Sequence, residues 1–181
     1  IRAGRSRFTL QTLPYSDFPD LAAGTLDHKF SLPAVELRRL IEKTQFAIST
    51  EETRYYLNGI YFHTIDVMGH TMLRAVATDG HRLALSEMEL SVKSGTHQVI
   101  VPRKGVLELQ RLVGSEGVAS LQVGSNHVRI TIGDIRFTSK LIDGRFPEYG
   151  RVIPAAPGRV VTADREALRR ALHRTSILAN E

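Results

Sequence analysis

Basic residues recur at the spacing of one helix face, and such residues could neutralise phosphate groups. They form three pairs: Arg39 with Lys43, Lys104 with Arg111, and Arg165 with Arg169. Contacts from Lys and Arg to phosphates do not depend on base sequence and are weakened by salt, so these faces suit a protein that binds nucleic acid without reading it. The commoner fate of such charges is a solvated helix face with ion pairs one turn away. Spacing alone leaves both interpretations open.

A second group of residues could hold a metal ion or transfer protons: His63, His70, Asp79 and His81. Two histidines seven residues apart across a hairpin match no recognised zinc spacing, and Asp-x-His is a common combination. The sequence also has no Gly-rich phosphate loop and no Gly-x-Ser-x-Gly elbow. Lone histidines in or beside strands are usually structural or exposed. Catalysis is therefore the weaker alternative, and we expect no metal site, no cofactor and no enzymatic activity.

Composition is typical of a globular protein of one or two domains. The 181 residues are 42% hydrophobic and 24% charged, and they carry a net charge of +5. This excess of positive charge favours a phosphate-rich partner, and the absence of a Lys/Arg block means that a folded surface must assemble any basic patch. The absence of cysteine suggests a reducing compartment, so we expect a cytoplasmic protein with no membrane contact.

The basic pairs are carried by a repeating unit of one strand, one helix and three alternating strands. In the first copy we predict a strand at 29–32 and a helix that Pro33 opens, with Ser31 as a possible N-cap. The apolar stripe of this helix is Leu37, Leu40, Ile41, Thr44 and Ile48. Three strands are predicted to follow, at 56–65, 72–78 and 82–88. Asp79-Gly80 predicts a two-residue hairpin between the last two.

The second copy has the same order of elements. A strand at 97–101 leads through Pro102 into a helix whose stripe is Val106, Leu109 and Val113. Alternating strands are predicted at 119–123, 127–132 and 135–141, with Gly133-Asp134 as the last turn. The pattern favours an α+β fold built from a duplicated βαβββ unit, although two amphipathic patterns could also resemble each other by coincidence.

A third copy begins near the end of the chain, with a strand at 159–162 and Asp164 as a helix cap. Its predicted buried stripe is Ala167, Leu168, Ala171 and Leu172. Residues 1–13, where Phe8 and Leu10 alternate, are typical of the closing strand of an upstream unit. Prolines and glycines mark two linkers, 14–27 and 146–158: Pro14, Pro19, Gly24, Pro147, Pro154, Pro157 and Gly158. We therefore expect a piece of a longer protein.

Five runs of sequence are more specific than this pattern: GRSRF at 4–8, RYYLNG at 54–59, ATDGHRL at 77–83, VPRKG at 101–105 and FTSKLIDGRFP at 137–147. In this order they resemble the bacterial DNA sliding clamps, the beta subunits of the replicative DNA polymerase. The resemblance spans essentially the whole chain. It implies the DNA clamp fold, in which helices face a central pore and antiparallel sheets lie outside.

The resemblance also implies a division into domains and an assembly. Residues 1–27 would end the first clamp domain, 28–155 would form the complete second domain, and 156–181 would begin the third. In that family two subunits of three domains close head to tail into a ring. The implied function is a processivity factor in DNA replication that encircles duplex DNA and is itself non-catalytic.

Residues that would face DNA on this template are Arg39, Lys43, Arg54, Tyr55, Tyr56, Arg103, Lys104 and Arg111. Arg54, Tyr55 and Tyr56 stand at a helix-to-strand junction that resembles a DNA-facing corner in clamps. An aromatic ring there can lie against the sugar-phosphate backbone. The alternative is that both tyrosines pack in the core with their hydroxyl groups at its edge.

Clamps also bind short peptides of their partners in a groove between the second and third domains. The matching positions here are Leu57, Thr78, Gly80, His81, Arg82, Leu83, Pro147, Arg151 and Val152. The implied partners are the polymerase catalytic subunit, the clamp loader and repair polymerases. The alternative for 78–83 is a plain hairpin with Leu83 and Leu85 in the core. The positive net charge departs from the family, whose members are often acidic overall.

Overall fold

The structure, a computed structural model, describes residues 1–18, 24–91, 97–155, 158–177 and 179. The chain forms two compact units, residues 1–146 and 147–181. The predicted linker residues Pro19 and Pro157 lie outside the described residues. No helix in the described part is long and apolar enough to span a membrane.

The first unit opens with a small hairpin and then contains the first predicted repeat. The hairpin pairs β1 (Arg2–Ala3) with β2 (Ser6–Arg7). Phe8 and Leu10 follow it and are both exposed, and the role of 1–13 as the closing strand of an upstream unit stays a prediction. The repeat consists of β3 (His28–Pro33), α1 (Ala34–Thr44), β4 (Gly59–Val67), β5 (His70–Thr78) and β6 (Leu83–Glu89). Its order of elements is the predicted one.

The second repeat follows in the same order. It consists of β7 (Gln98–Pro102), α2 (Arg103–Leu112), β8 (Val118–Val123), β9 (His127–Ile132) and β10 (Ile135–Lys140). Ile132 pairs with Ile135, so Gly133-Asp134 is the predicted two-residue turn, with Gly133 at φ 54°. Positive φ is the reason that glycine suits this position.

Helices α1 and α2 each begin directly after the proline that ends the preceding strand. Pro33 and Pro102 are the N-cap residues, and neither helix has a side-chain cap, so the predicted capping role of Ser31 is wrong. Instead the first helical N–H groups bind backbone: Ala34 N–H donates to the Gly117 carbonyl at 2.9 Å, and Arg103 N–H to the Asn58 carbonyl at 2.8 Å. Because Gly117 and Asn58 immediately precede β8 and β4, both helices are anchored in the same way.

The opening strand of each repeat pairs with the other repeat. One antiparallel sheet, sheet I, has the order β6-β5-β4-β7, and the other, sheet II, has the order β10-β9-β8-β3. Thus β7 completes the sheet of the first repeat, and β3 completes that of the second. The repeats therefore cannot separate without breaking both sheets.

The core lies between the two helices and the inner faces of the sheets. Fully covered side chains there include Leu37, Leu40, Ile41, Ile60, Val106 and Leu109. The predicted helix stripes are confirmed, although α1 ends at Thr44 and Ile48 follows a short 3-10 turn, Gln45–Ala47. Alternation along the strands places the remaining side chains on the outer faces, where polar residues are mixed with apolar ones such as Leu83 and Leu85.

The second unit contains a 3-10 turn, Tyr149–Arg151, and α3 (Arg165–Ser176). Asp164 caps α3 as predicted, accepting from Ala167 N–H at 2.8 Å. Two other predictions are wrong: residues 159–162 are not in a strand, and Leu168 and Leu172 are 51% and 60% exposed rather than buried. The described part of this unit offers no sheet against which the stripe could pack.

Candidate functional site

The connection between β5 and β6 is a four-residue loop with several internal hydrogen bonds. Thr78 pairs with Leu83, so the loop is 79–82 and the predicted two-residue hairpin is wrong. Asp79 organises it: one carboxylate oxygen accepts from the N–H groups of His81 at 2.9 Å and Arg82 at 3.0 Å. These backbone donors, with the Arg82 guanidinium at 3.0 Å, lower the pKa of Asp79 to about 2. The loop therefore presents the side chains of His81 and Arg82 to solvent.

Gly80 gives this loop its shape, since it has φ 91° and a side chain at that position would meet Arg54. A Cβ atom would lie 2.6 Å from Arg54 Nη1. Arg54 in turn forms an ion pair of 2.6 Å with Glu51, and this hydrogen bond lowers the pKa of the Glu51 carboxyl and raises that of the Arg54 guanidinium. Arg54 thus links the predicted DNA-facing corner to the predicted peptide groove.

The leucines of the predicted groove differ in their surroundings. Leu57 is buried, 4% exposed, and closes a 3-10 turn by donating its N–H to the Arg54 carbonyl at 2.8 Å. Leu83 and Leu85 lie half-buried on the outer face of sheet I, because their neighbour Ala84 is the residue of β6 that joins the core. The alternative of a hairpin whose leucines fill the core is therefore wrong.

Phe46 also borders this loop, and sequence reasoning missed it. The Arg82 guanidinium carbon lies 5.9 Å from the centre of the Phe46 ring, and that ring is 52% exposed. A cation over an aromatic face is stabilised by the ring quadrupole. The available signal was an aromatic residue off the apolar stripe, at the end of a helix.

Three predicted groove residues belong to the second unit. Arg151 ends the 3-10 turn and forms an ion pair of 2.8 Å with Glu148. Val152 follows it and is 68% exposed, and Pro147 precedes the turn and is also exposed. Their side chains therefore do not take part in a core.

Basic residues on α1 fall into paired and free groups. Arg39 forms an ion pair of 2.7 Å with Glu36, and also donates to the Glu87 carbonyl at 2.9 Å and to Ser86 Oγ at 3.2 Å. Arg39 therefore links α1 to β6 through hydrogen bonds. Lys43, one turn further on, is exposed and forms no ion pair with the described residues.

On α2, Arg103 and Lys104 are exposed and have no ion pair within the described part of the chain, whereas Arg111 lies 3.3 Å from Glu108. On α3, Arg165 and Arg169 both bind Glu166, at 2.8 and 2.9 Å. Several of these residues therefore form the ion pairs within the helix that the sequence offered as the alternative to DNA contact. Free charge on the described helices of the first unit is concentrated at Lys43, Arg103 and Lys104.

Tyr55 and Tyr56 lie in a 3-10 turn, Tyr55–Leu57, so the predicted strand start at 56 is wrong. Their rings meet edge to face with centroids 5.7 Å apart, and Tyr55 is 53% exposed. Gly144 packs against both: a Cβ there would lie 3.1 Å from Tyr56 Cβ and 3.3 Å from Tyr55 Cε2. Neither ring is buried in the core, so the core alternative is wrong for Tyr55 and only partly right for Tyr56.

The residues of the enzyme alternative are not assembled into one site. His70 begins β5, and His81 lies in the loop that follows it. The nine residues of β5 extend over about 27 Å, so the two histidines are far apart. His70 instead pairs with Glu89 at 2.6 Å, and His63 stacks on Tyr61 with ring centres 4.7 Å apart. Burial and Arg74 lower the pKa of His63. Among the described residues, no three His, Asp or Glu side chains could share a metal ion.

Two βαβββ repeats that exchange their first strands, with paired helices on one side and two four-stranded antiparallel sheets on the other, define the DNA clamp fold. Residues 31–148 match the family model for the central domain of the DNA polymerase III beta subunit. The chain belongs to this family.

Relatives and solved structures agree with this assignment. The beta sliding clamps of Proteus mirabilis and Escherichia coli K12 are 51% and 48% identical over the whole of this chain, which covers 49% of each. The crystal structure of the Pseudomonas aeruginosa DNA polymerase III subunit beta superimposes with a TM-score of 0.91 at 48% identity, over 99% of this chain and 49% of that one. The Caulobacter crescentus sliding clamp gives 0.91 at 49% identity, with the same coverage. The chain thus spans about half the length of these proteins.

Proposed function

We propose that this chain is the central part of a ring-shaped sliding clamp, a non-catalytic processivity factor of DNA replication. The observation that carries the proposal is the clamp fold itself, at about half sequence identity to beta sliding clamps along the whole chain. Residues 28–155 form its complete central domain, 1–27 end the preceding domain and 156–181 begin the following one. The family match over 31–148 supports the central part of this division. The protein acts in the cytoplasm.

The helix side of the first unit is the DNA-facing side in this proposal. Lys43, Arg103 and Lys104 supply free positive charge there, and Tyr55 offers an exposed ring near the start of β4. Such contacts hold phosphates without reading bases, so a ring can slide. Closure of the ring, rather than affinity, keeps it on DNA. In the full ring, which is a head-to-tail homodimer, Arg39, Arg54, Tyr56 and Arg111 lie along the same surface.

Retention on circular DNA tests this function. A completed chain, loaded on a nicked plasmid, is expected to remain through a high-salt gel-filtration column and to leave when a restriction enzyme linearises the plasmid. Equal release from circles and from linear DNA would show a simple binder. Comparison with the 181-residue chain, which is expected to leave both substrates, is the control for topological retention.

The partner surface is proposed to be a peptide-binding site formed by the loop 79–82 with Leu57, Thr78 and Leu83. Pro147, Arg151 and Val152 of the second unit are proposed separately as contacts for such peptides. The loop supports this proposal, because Asp79 accepts hydrogen bonds from the backbone N–H groups of His81 and Arg82 and from the Arg82 guanidinium. Arg82 is thereby held where it can orient an extended peptide. The polymerase catalytic subunit, the clamp loader and repair polymerases bind here through short motifs. An apolar slot with few polar groups is the usual form of such a site.

Fluorescence polarisation with a labelled clamp-binding peptide tests the groove. Arg82→Ala in a completed chain is expected to weaken binding at least about tenfold, since one charge-assisted hydrogen bond is worth about 1.5–3 kcal/mol. Met68→Ala, in the exposed turn between β4 and β5, is the matched control and is expected to bind normally. Tight binding by the 181-residue chain, equal to that of a completed chain, would contradict a groove that needs further third-domain residues.

A further inference from the structure

The outer face of sheet II carries unbalanced positive charge. Alternation places the following side chains on the side away from the helices: Lys29, Ser31, Pro33, Val118, Ser120, Gln122, His127, Arg129, Thr131, Arg136, Thr138 and Lys140. Four of these residues are cationic and none is acidic. The acidic residues nearest in sequence, Asp27, Glu116 and Asp134, lie in the connections outside the strands.

The cations on this face are available for an external partner. Lys29, Arg136 and Lys140 are exposed and form no ion pair with any described residue. The fourth cation, Arg129, donates from Nε to Thr138 Oγ1 at 3.4 Å, and so lies across the neighbouring strand. We call these four residues the basic sheet face.

Sheet I shows that this imbalance is not a general property of the fold. On its outer face Arg74 binds Glu87 across β5 and β6 at 2.6 Å, and His70 binds Glu89 at 2.6 Å. Opposite charges on adjacent strands are the usual arrangement, since like charges there repel. Sheet II therefore carries four cations on this face with no acidic side chain beside them on its strands, and an anion would relieve their repulsion.

The dimensions and chemistry of the basic sheet face match a nucleic acid backbone. Four strands span about 14 Å, and Arg136 to Lys140 along β10 span a further 14 Å or so. The major groove of DNA is about 12 Å wide, so cations at the two edges can reach the phosphate rows that border it. The hydroxyl groups of Ser31, Ser120, Thr131 and Thr138 are of the kind that bind phosphate oxygens.

This face lacks two kinds of side chain among its described residues, and their absence favours duplex DNA over single-stranded nucleic acid or an acidic protein. It has no Phe, Tyr or Trp among its described residues, so it lacks the stacking platform on which single-stranded bases are held. Its apolar side chains on the described strands, Pro33 and Val118, pair with each other at one end, so it also lacks the central apolar anchor of a protein interface. We propose that the basic sheet face is a second, sequence-independent contact surface for duplex DNA, on the side of the domain opposite the helices.

Salt dependence of duplex binding by the 181-residue chain tests this proposal. Each phosphate contact adds about 0.9 to the slope of log affinity against log salt, which is about 3.5-fold in affinity between 50 and 200 mM salt. The Lys29→Gln/Arg136→Gln/Lys140→Gln variant loses two or three phosphate contacts. Its affinity is therefore expected to fall about 10- to 40-fold less than that of the wild type over this range of salt. The Lys29→Arg/Arg136→Lys/Lys140→Arg variant, which keeps all three charges, is expected to behave as the wild type.

Two further experiments identify which surface binds the duplex. The chain has no cysteine, so Thr131→Cys carries a single photo-crosslinker on the basic sheet face, and Met68→Cys carries one on the turn at an end of sheet I. Crosslinking of a 20-base-pair duplex from residue 131 but not from residue 68 is expected. Separately, Gln at Lys43, Arg103 and Lys104 tests the helix side, so the two surfaces succeed or fail independently.

The proposal is overturned if the Gln variant at Lys29, Arg136 and Lys140 keeps the wild-type salt slope while its circular dichroism spectrum is native. It is also overturned if residue 131 does not crosslink to duplex. Labelled polyglutamate that binds more tightly than duplex, and loses binding in the same variant, would assign the face to an acidic protein partner instead.

Discussion

Arg39 and Lys43 lie one turn apart on α1 and look alike in sequence, yet the structure predicts different effects when each is replaced by Gln. Arg39→Gln is expected to lower the stability of the fold, and Lys43→Gln to weaken DNA binding. Arg39 makes three kinds of contact: the ion pair with Glu36, the bond to the Glu87 carbonyl and the bond to Ser86. A half-exposed ion pair is worth about 0–1 kcal/mol, and a hydrogen bond to a charged group about 1.5–3 kcal/mol when shielded. Allowing for solvent at this site, Arg39→Gln is expected to cost about 1–2 kcal/mol.

Lys43 has no such contacts, so Lys43→Gln is expected to change the free energy of unfolding by less than about 0.5 kcal/mol. Its expected effect is on DNA instead. Removing one phosphate contact lowers the slope of log affinity against log salt by about 0.9. Arg39→Gln is expected to leave most of that slope intact, because its guanidinium is already held by the protein.

Urea denaturation followed by far-ultraviolet circular dichroism measures the first quantity, since the chain contains no Trp. Fluorescence anisotropy of a labelled duplex at several salt concentrations measures the second. The reasoning is refuted if Arg39→Gln unfolds at the wild-type urea concentration, or if Lys43→Gln is the variant that unfolds early. It is likewise refuted if the two substitutions reduce the salt slope equally.

Two glycines and one carboxylate give further predictions. Gly80→Ala is expected to cost about 1–3 kcal/mol in urea denaturation, because its φ of 91° disfavours a side chain and Arg54 must move; wild-type stability would contradict this. Gly59→Ala is expected to lower the melting temperature by about 6–12 °C, the equivalent of roughly 3 kcal/mol, because its Cβ would collide with the Val101 carbonyl oxygen and β4 must move from β7. A shift of a degree or two would show that the strands adapt. The pKa of Asp79 is lowered to about 2 in the folded state, so its stabilising effect is complete above its unfolded pKa near 4 and is lost as pH falls towards 2. The stability difference between wild type and Asp79→Asn should therefore shrink between pH 5 and pH 2, and a constant difference would remove the carboxylate from the explanation.

Local patterns were enough to predict the repeats because they depend on neighbours in sequence. The stripe Leu37, Leu40 and Ile41 specifies a helix with one buried face, and the alternation in 127–132 specifies a half-buried strand; both are confirmed. Predictions failed where a long-range contact replaced a local one. Ser31 does not cap α1 because the Gly117 carbonyl takes the first helical N–H, and that contact depends on strand exchange.

The candidate site shows the same division. The run ATDGHRL indicates a turn and, through the family resemblance, a partner surface, but the four-residue loop exists because Asp79 binds two N–H groups that follow it. Phe46 could not be placed beside Arg82 from sequence, since 36 positions separate them. Nor could spacing tell which basic residues are free, because the partners of Arg39 on β6 are 47 and 48 residues away.

The sequence by itself determined the duplicated βαβββ pattern, the amphipathic helices, the excess of positive charge and the motifs of the clamp family. Each of these depends on residue type and on spacing along the chain. Only the tertiary structure decided that β3 and β7 exchange between the repeats, that Arg39 is fastened while Lys43 is free, and that sheet II collects four cations on one face. These features arise from the pairing of strands distant in sequence, since register across a sheet determines which charges become neighbours.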